Sequence, residues 1–344
     1  MAIIITGGCG FIGSNLIEKL LLESSELIIN IDKLTYAADK KDIHGFKDNE
    51  NYIFIKADIR NKEVILKTLF KYDPIYLINC AAETHVDRSI YNREPFIKTN
   101  ILGTFNLLEC SKLYLQEFPE KKEKGFRFLQ ISTDEVFGSL DDNQDLFTEK
   151  TPYKPSSPYS ASKASADHLV SSYFKTFRLP TITINSSNNY GPFQFAEKLI
   201  PLSIMNALQM KNINLYGNGL NKRDWLYVND HCEAIIKILK DGEIGNSYNV
   251  GGNCELTNIE VVKKICICLD QIKPICGINK NQSYLKLINY IDDRQGHDYR
   301  YGVDISKIKN KINWYPKEPF NSGILKTINW YLLNQEHFIN IHKD

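Results

Sequence analysis

The sequence predicts a doubly wound α/β fold: a mostly parallel sheet covered on both faces by helices, joined to a smaller, mixed α/β region. Three observations carry this. Short β-branched runs alternate with longer amphipathic ones through the first half, a glycine cluster stands directly behind the first run, and the alternation loosens after Gly191. Parallel strands require long crossover connections, and helices of this length supply them.

The runs Ala2–Thr6, Leu27–Ile31, Tyr52–Lys56, Ile75–Cys80, Phe126–Ser132 and Thr181–Ser186 read as buried strands. Between them Ile12–Leu22, Lys62–Tyr72, Phe96–Leu115 and Tyr159–Phe177 carry apolar residues at helical spacing. Beyond Gly191, Lys198–Gln209, Asn229–Leu239, Asn258–Leu269 and Ser322–Leu333 read as helices, with short strands such as Ser247–Val250 between Gly-, Asn- and Asp-rich loops. The expected division is residues 1–190 for the large sheet and 191–344 for the smaller region, with a strand able to cross between them.

The 344 residues include 42 basic and 41 acidic ones, a net charge of +1. That balance gives no general attraction to nucleic acid or to an anionic membrane, so an anionic ligand has to be held by a few placed cations. No apolar run approaches the ~20 residues that span a bilayer. The apolar start Ala2–Ile5 is cut short by Thr6 and the glycines and lacks a basic leader, so it reads as a strand rather than a signal peptide. The cysteines at 9, 80, 110, 232, 254, 266, 268 and 276 are scattered through apolar segments without zinc-site spacing. They read as buried thiols of a cytoplasmic protein that holds no metal.

The first strand runs into Thr6-Gly7-Gly8-Cys9-Gly10-Phe11-Ile12-Gly13 and then a helix. Absent side chains let a diphosphate approach the backbone, and the helix start supplies oriented N–H donors. Asp32 closes the second strand about twenty residues on, where a carboxylate accepts from ribose hydroxyls and repels a 2′-phosphate. NAD is therefore expected rather than NADP, although Lys33 follows at once. Asp58, with Ile59 after it, stands behind the third strand where this fold commonly caps the adenine edge.

Tyr159 and Lys163 are four residues apart in a predicted helix and share one face. An ammonium beside a phenol lowers its pKa, and a tyrosine so tuned can take a hydroxyl proton while hydride leaves the same carbon. Ser132 and Thr133 end the preceding strand, and Asp134-Glu135 follow at the carboxyl edge of the sheet, where open α/β sheets bind ligands.

These motifs resemble the extended short-chain dehydrogenases that modify nucleotide sugars. Ile131-Ser132-Thr133-Asp134-Glu135-Val136-Phe137-Gly138 resembles the dTDP-glucose 4,6-dehydratase family in particular. The likeness extends over Asp32–Tyr36, Ala81–Ser89, Asn188–Pro192, Glu197–Pro201, Arg223–Val228 and Asp293–Asp298. It implies oxidation of the sugar at C4, elimination of water across C5 and C6 with Glu135 as base and Asp134 as acid, and NAD regenerated in each turnover and kept bound. Thr133 would hold the C4 hydroxyl beside Tyr159. The resemblance adds Lys33, Leu34, Thr35, Ala81, Ala82, Glu83, Thr99 and Asn189 to the cofactor residues. It assigns Arg223, Arg294 and His297 to the substrate diphosphate, and Thr84, His85, Asn188, Lys198, Leu199, Asn214, Leu215, Tyr216 and Asn258 to sugar or nucleotide. It further implies a homodimer built on the Phe96–Leu115 and Tyr159–Phe177 helices, and a deoxysugar route such as that to rhamnose.

Two positions depart from the family pattern: Gln295 replaces a proline, and Thr84 a serine. Other readings are another nucleotide-hexose dehydratase, a UDP-hexose 4-epimerase, or a non-catalytic NAD-binding regulator. The acid pair weighs against the epimerase, Asp32 against an NADP-using enzyme, and the full Thr133, Asp134, Glu135, Tyr159 and Lys163 set against the regulator.

Overall fold

The computed structural model describes residues 1–38, 45–275 and 282–335. Its strands in chain order are β1 (Ala2–Thr6), β2 (Leu27–Asp32), β3 (Tyr52–Lys56), β4 (Pro74–Asn79), β5 (Arg127–Thr133) and β6 (Thr181–Ser186). There follow β7 (Asn188–Tyr190), β8 (Ile213–Tyr216), β9 (Lys222–Tyr227), β10 (Ser247–Val250), β11 (Glu255–Thr257) and β12 (Ile288–Ile291).

Seven strands form one sheet in the order β10-β6-β5-β4-β1-β2-β3, every pair parallel. The strand order reverses about β1, between β2 and β4, and the carboxyl ends at that reversal open a crevice suited to a ligand. Both faces are buried, which is why the strands read as continuous Ile/Leu/Phe runs. One face packs against helices Phe11–Glu23 and Val228–Asp241, the other against Lys62–Tyr72 and Thr104–Glu117. A second core, centred on Tyr190, Trp225, Ile265 and Ile328, joins helices Leu199–Leu208, Asn258–Ile272 and Phe320–Leu333 around two small sheets, β11-β9-β7 and β12-β8.

Two sequence expectations change. Ser247–Val250, expected in the smaller region, is the seventh strand of the large sheet, paired in register with Thr183–Ser186 of β6. Its Tyr248 and Val250 share one core with Ile235, Ile238 and Trp314, so chain beyond residue 190 completes the first lobe and covers an otherwise open sheet edge. The expected single helix Phe96–Leu115 is instead a short α turn at Glu94–Phe96, a π-helical stretch over Ile97–Gly103 and an α-helix from Thr104 to Glu117. The wider π turn carries Thr99 and Asn100, both buried and both used at the cleft described below.

The helix bearing Tyr159 and Lys163 starts at a full capping box. Ser157 accepts from the Ser160 N–H, Ser160 returns the bond, and Pro158 occupies the first position, where its missing N–H costs nothing. Among the described residues no helix is long and apolar enough to cross a membrane. No two of the seven described cysteines form a disulfide, and Cys276 lies outside the described residues.

Candidate active site

β1 hands the chain to Gly7, whose φ of +71° is left-handed and whose Cβ would stand 2.6 Å from the Ala81 backbone. A Cβ at Gly13 would meet the Gly7 carbonyl oxygen at 2.4 Å and Gly8 Cα at 2.7 Å. Side chains are excluded at both places, so the turn lies bare against the start of the Phe11–Glu23 helix. Gly10 supplies no side-chain cap there, which leaves first-turn N–H groups for a ligand.

Asp32 accepts from Leu34 N at 2.7 Å through Oδ1 and from Cys9 N at 3.0 Å through Oδ2. Burial raises its pKa, and these two N–H groups oppose the rise. Lys33 turns across the crevice to Thr99 Oγ1 at 3.0 Å and Glu83 Oε1 at 3.3 Å. Its charge is thereby matched inside the protein. Asn100, which the sequence reading did not single out, bonds both the N–H and the carbonyl of Glu83, at 2.8 and 3.0 Å, and so fixes the Ala81–Thr84 loop.

A single cleft gathers most of the expected residues. Gly7, Gly10, Phe11, Ile12, Gly13, Asp32, Lys33, Thr35, Ile59, Ala81, Ala82, Glu83, Thr99 and Asn189 line it, together with Thr84, Thr133, Asp134, Glu135, Tyr159, Asn188 and Lys198. Leu34 meets Asp32 through its backbone. Asp58 is not among the lining residues, and its carboxylate is held by Arg60 Nε and Nη2 at 3.0 and 2.8 Å.

At the reaction centre, Thr133 ends β5 and accepts from the Glu135 N–H at 3.2 Å, which starts the short 3-10 turn Asp134–Phe137. The Thr133 hydroxyl donates to Asp134 Oδ1 at 3.3 Å, while Asp134 Oδ2 is buried without a hydrogen-bond partner among the described residues. Burial, then the charges of Glu135 and Asp224, push the Asp134 carboxyl far above the ordinary range. Glu135 is also raised by burial, but Lys198, Arg294 and Arg223 pull it back. The two acids are thus set apart: Asp134 keeps its proton and Glu135 gives it up more readily.

Lys163 is buried and donates to the Ile131 carbonyl at 2.6 Å. The sequence reading expected the lysine to lower the Tyr159 phenol. In the structure burial, then Glu135, pushes that phenol well up, with the Thr133 hydroxyl opposing. A buried hydroxyl facing carboxylates holds its proton.

Toward the second lobe, Lys198 donates to the Thr84 carbonyl at 2.8 Å. Arg294 Nη1 meets Asp87 Oδ1 at 2.8 Å, Tyr216 donates to Asp87 Oδ2 at 3.1 Å, and His297 pairs with Asp293 at 2.6 Å beside the Tyr216 ring. Burial works against the Asp87 charge, yet the Arg294 and Tyr216 bonds hold its carboxyl below the usual range. Arg294 Nε remains buried and unpartnered among the described residues. His85 is pulled down to about 4 by burial and by Lys198, so it stands neutral 3.6 Å from Glu197.

Arg223, expected at the substrate diphosphate, is bonded within the protein. Its guanidinium bonds the carbonyls of Lys222, Tyr299 and Asp298 and stacks on Tyr301 at 4.3 Å, so it braces the 298–301 segment and stands as a positive charge near Asp134 and Glu135. Leu215 turns its side chain into the second core, and Leu199 packs against the same core at the start of its helix. Asn214 is exposed and accepts from Asn289 at 2.8 Å. Asn258 donates its N–H to Asn221 O at 3.0 Å. Asp87 and Glu197 lay inside family-like runs, but a run names no role, and their charge partners come from distant segments.

Comparison with known proteins agrees with this geometry. A family model described as GDP-mannose 4,6 dehydratase matches residues 4–327. A dTDP-glucose 4,6-dehydratase from Neisseria meningitidis serogroup B is 47% identical over 341 residues, 98% of this chain and 95% of the relative. The solved dTDP-glucose 4,6-dehydratase from Bacillus anthracis in complex with NAD superposes with a TM-score of 0.86 at 43% identity, covering 99% of both chains. That from Streptomyces venezuelae, also with NAD bound, gives 0.88 at 34% identity, covering 99% of this chain and 100% of the other. The separated acid pair beside Thr133 and Tyr159, the glycine turn and these full-length likenesses lead to one conclusion: the chain belongs to the dTDP-glucose 4,6-dehydratase family.

Proposed function

We propose that this chain converts dTDP-glucose to dTDP-4-keto-6-deoxyglucose and water, with NAD as a retained cofactor. The observation that carries the reading is the Asp134–Glu135 pair, whose surroundings separate an acid from a base at the mouth of the sheet. NAD fits the cradle of Gly7, Gly10 and Gly13 and the Asp32 carboxylate, where Cβ atoms at Gly7 and Gly13 would clash and a ribose finds its acceptor. When bound, it supplies the oxidant at C4 and the reductant at C6.

The residues of the chain do the rest. Thr133 and Tyr159 hold the C4 hydroxyl, and Tyr159, once the Lys163 ammonium and the positive charge that NAD would bring favour its phenolate, takes the hydroxyl proton as C4 becomes a ketone. The ketone acidifies the C5 hydrogen, which Glu135 removes. Asp134, kept protonated by burial, gives its proton to the departing C6 hydroxyl, so the C6–O bond breaks as water and a C5–C6 double bond forms. Glu135 then returns a proton to C5 as C6 is reduced, and the proton that Tyr159 took replaces the one that Asp134 gave to the water. Arg294 carries the half-buried cation suited to the diphosphate, its fork matching phosphate oxygens once Asp87 is displaced.

The reading extends to a cytoplasmic homodimer. Ile97, Leu102 and Phe105 expose apolar surface where the paired helices of a dimer would meet, and sedimentation showing only monomer would remove it.

The deciding experiment incubates the purified protein with dTDP-glucose and no added NAD, with the product weighed by mass spectrometry. Loss of one water is expected. An unchanged mass with a 4-epimer present would make it an epimerase, and inertness toward dTDP-, CDP-, UDP- and GDP-sugars with NAD bound would make it a regulator.

A further inference from the structure

Tyr159, Lys163 and Asp167 follow at four-residue intervals on the Pro158–Phe177 helix and share its buried face. The proposed reaction uses the first two. Asp167 is buried and touches neither ligand region, yet its Oδ2 accepts from Ser132 Oγ at 2.6 Å, from the Tyr153 hydroxyl at 3.2 Å and from Asn185 Nδ2 at 3.4 Å. Oδ1 has no hydrogen-bond partner among the described residues. Three donors on one oxygen, and no acceptor at the other for a carboxyl proton, suit an anion.

The cation that matches it is Lys163, one turn earlier. Lys163 binds the Ile131 carbonyl and Asp167 binds the Ser132 hydroxyl, so the two charges grip adjacent residues of β5 immediately before Thr133. The surroundings are sparse. Cys80 at the end of β4 is the other titratable group that acts on Lys163, Tyr153 on the 151–157 loop is the one that bonds Asp167, and His168 stacks on Tyr153 at 5.3 Å. Glu135, Asp134 and Asp167 itself act on Tyr159.

We propose that Asp167 is a positioning residue, a buried counter-charge that keeps Lys163 an ammonium and clamps the Ser132–Thr133 strand end, its effect on Tyr159 running chiefly through them. Burial drives Lys163 toward the neutral amine and Asp167 pushes it back. Burial likewise lifts Asp167 to about 6, with Lys163 the first group opposing. Above that pH the carboxylate supports the ammonium; below it the support is gone.

This rests on the proposed reaction, and the test separates the two. The pH profile of turnover on dTDP-glucose is compared for the wild type and Asp167→Asn, which can still accept from Ser132. The profiles should converge below about pH 6, and the alkaline limb of the variant should move down by about one pH unit, a tenfold loss at high pH. A uniform loss at every pH, or an unmoved limb, would overturn the proposal. A second readout needs neither substrate nor a folded Asp167 variant. In Lys163→Met near neutral pH, infrared spectra should gain a carboxylic-acid C=O band in addition to the one that protonated Asp134 gives the wild type. No new band would overturn the counter-charge. A wild type inert on dTDP-glucose would refute the substrate reading while the infrared result still decides this one.

Discussion

On the cofactor wall of the cleft the groups that meet a ligand are main-chain atoms and short side chains, fixed before anything binds. Gly7 and Gly13 leave no room for adjustment, Asp32 is pinned by two N–H groups, and Asn100 holds the opposite loop by both its backbone polar groups. On the substrate wall they are polar and charged side chains already paired with one another: Arg294 with Asp87, the His297 ring with Asp293, and Arg88 and the neutral His85 against Glu197. A preformed wall loses little entropy on binding and suits a ligand that stays. A wall of exchangeable pairs suits one that enters and leaves, because its partners can be traded for phosphate oxygens at little net change.

The acid pair, where the walls meet, gives the largest expected effect. Glu135→Gln should lower turnover by about 10²–10⁴-fold while C4 oxidation continues, so that NADH absorbance builds up and water loss stops. Undiminished elimination in that variant would place the base elsewhere. Next comes the rigid wall. Gly13→Ala should yield protein that purifies with little NAD, since the methyl would sit 2.4 Å from the Gly7 carbonyl oxygen. Full cofactor content after gel filtration would show that the turn can yield, and the contrast between the walls would fail. The smallest effect tests the exchangeable wall. Asp87→Asn removes the anion competing for Arg294, so KM should fall by about 3–10-fold at low salt with kcat unchanged. A rise in KM would recast Asp87 as the residue that orients Arg294.

What the sequence disclosed follows the same division. The β1 turn, Asp32, and the Thr133-Asp134-Glu135 and Tyr159/Lys163 sets were legible because each lies within one short segment whose spacing is dictated by a strand end or a helical turn. Asp87 with Arg294 joins segments 207 residues apart, and Asp167 with Ser132 and Asn185 joins three elements. No local spacing reports such meetings. The partners of Arg223 are hidden for a related reason: its family-like run marks a strand, and only the fold brings its guanidinium to the carbonyls of Asp298 and Tyr299. The π turn at Ile97–Gly103 leaves an apolar period close to that of an α-helix, so the periodicity could not separate them.

The return of the chain through β10 to the edge of β6 has a bearing on how the molecule is made. Synthesis proceeds from the N-terminus, so six parallel strands emerge while the seventh is still some sixty residues away. During that interval β6 presents an unpaired row of backbone groups next to the strand that carries the acid pair, open to any passing strand. The dinucleotide lobe therefore has no finished form as a separable module. Its last strand arrives only after β7, β8 and β9 of the second lobe have left the ribosome, so the first sheet closes with part of its neighbour already made.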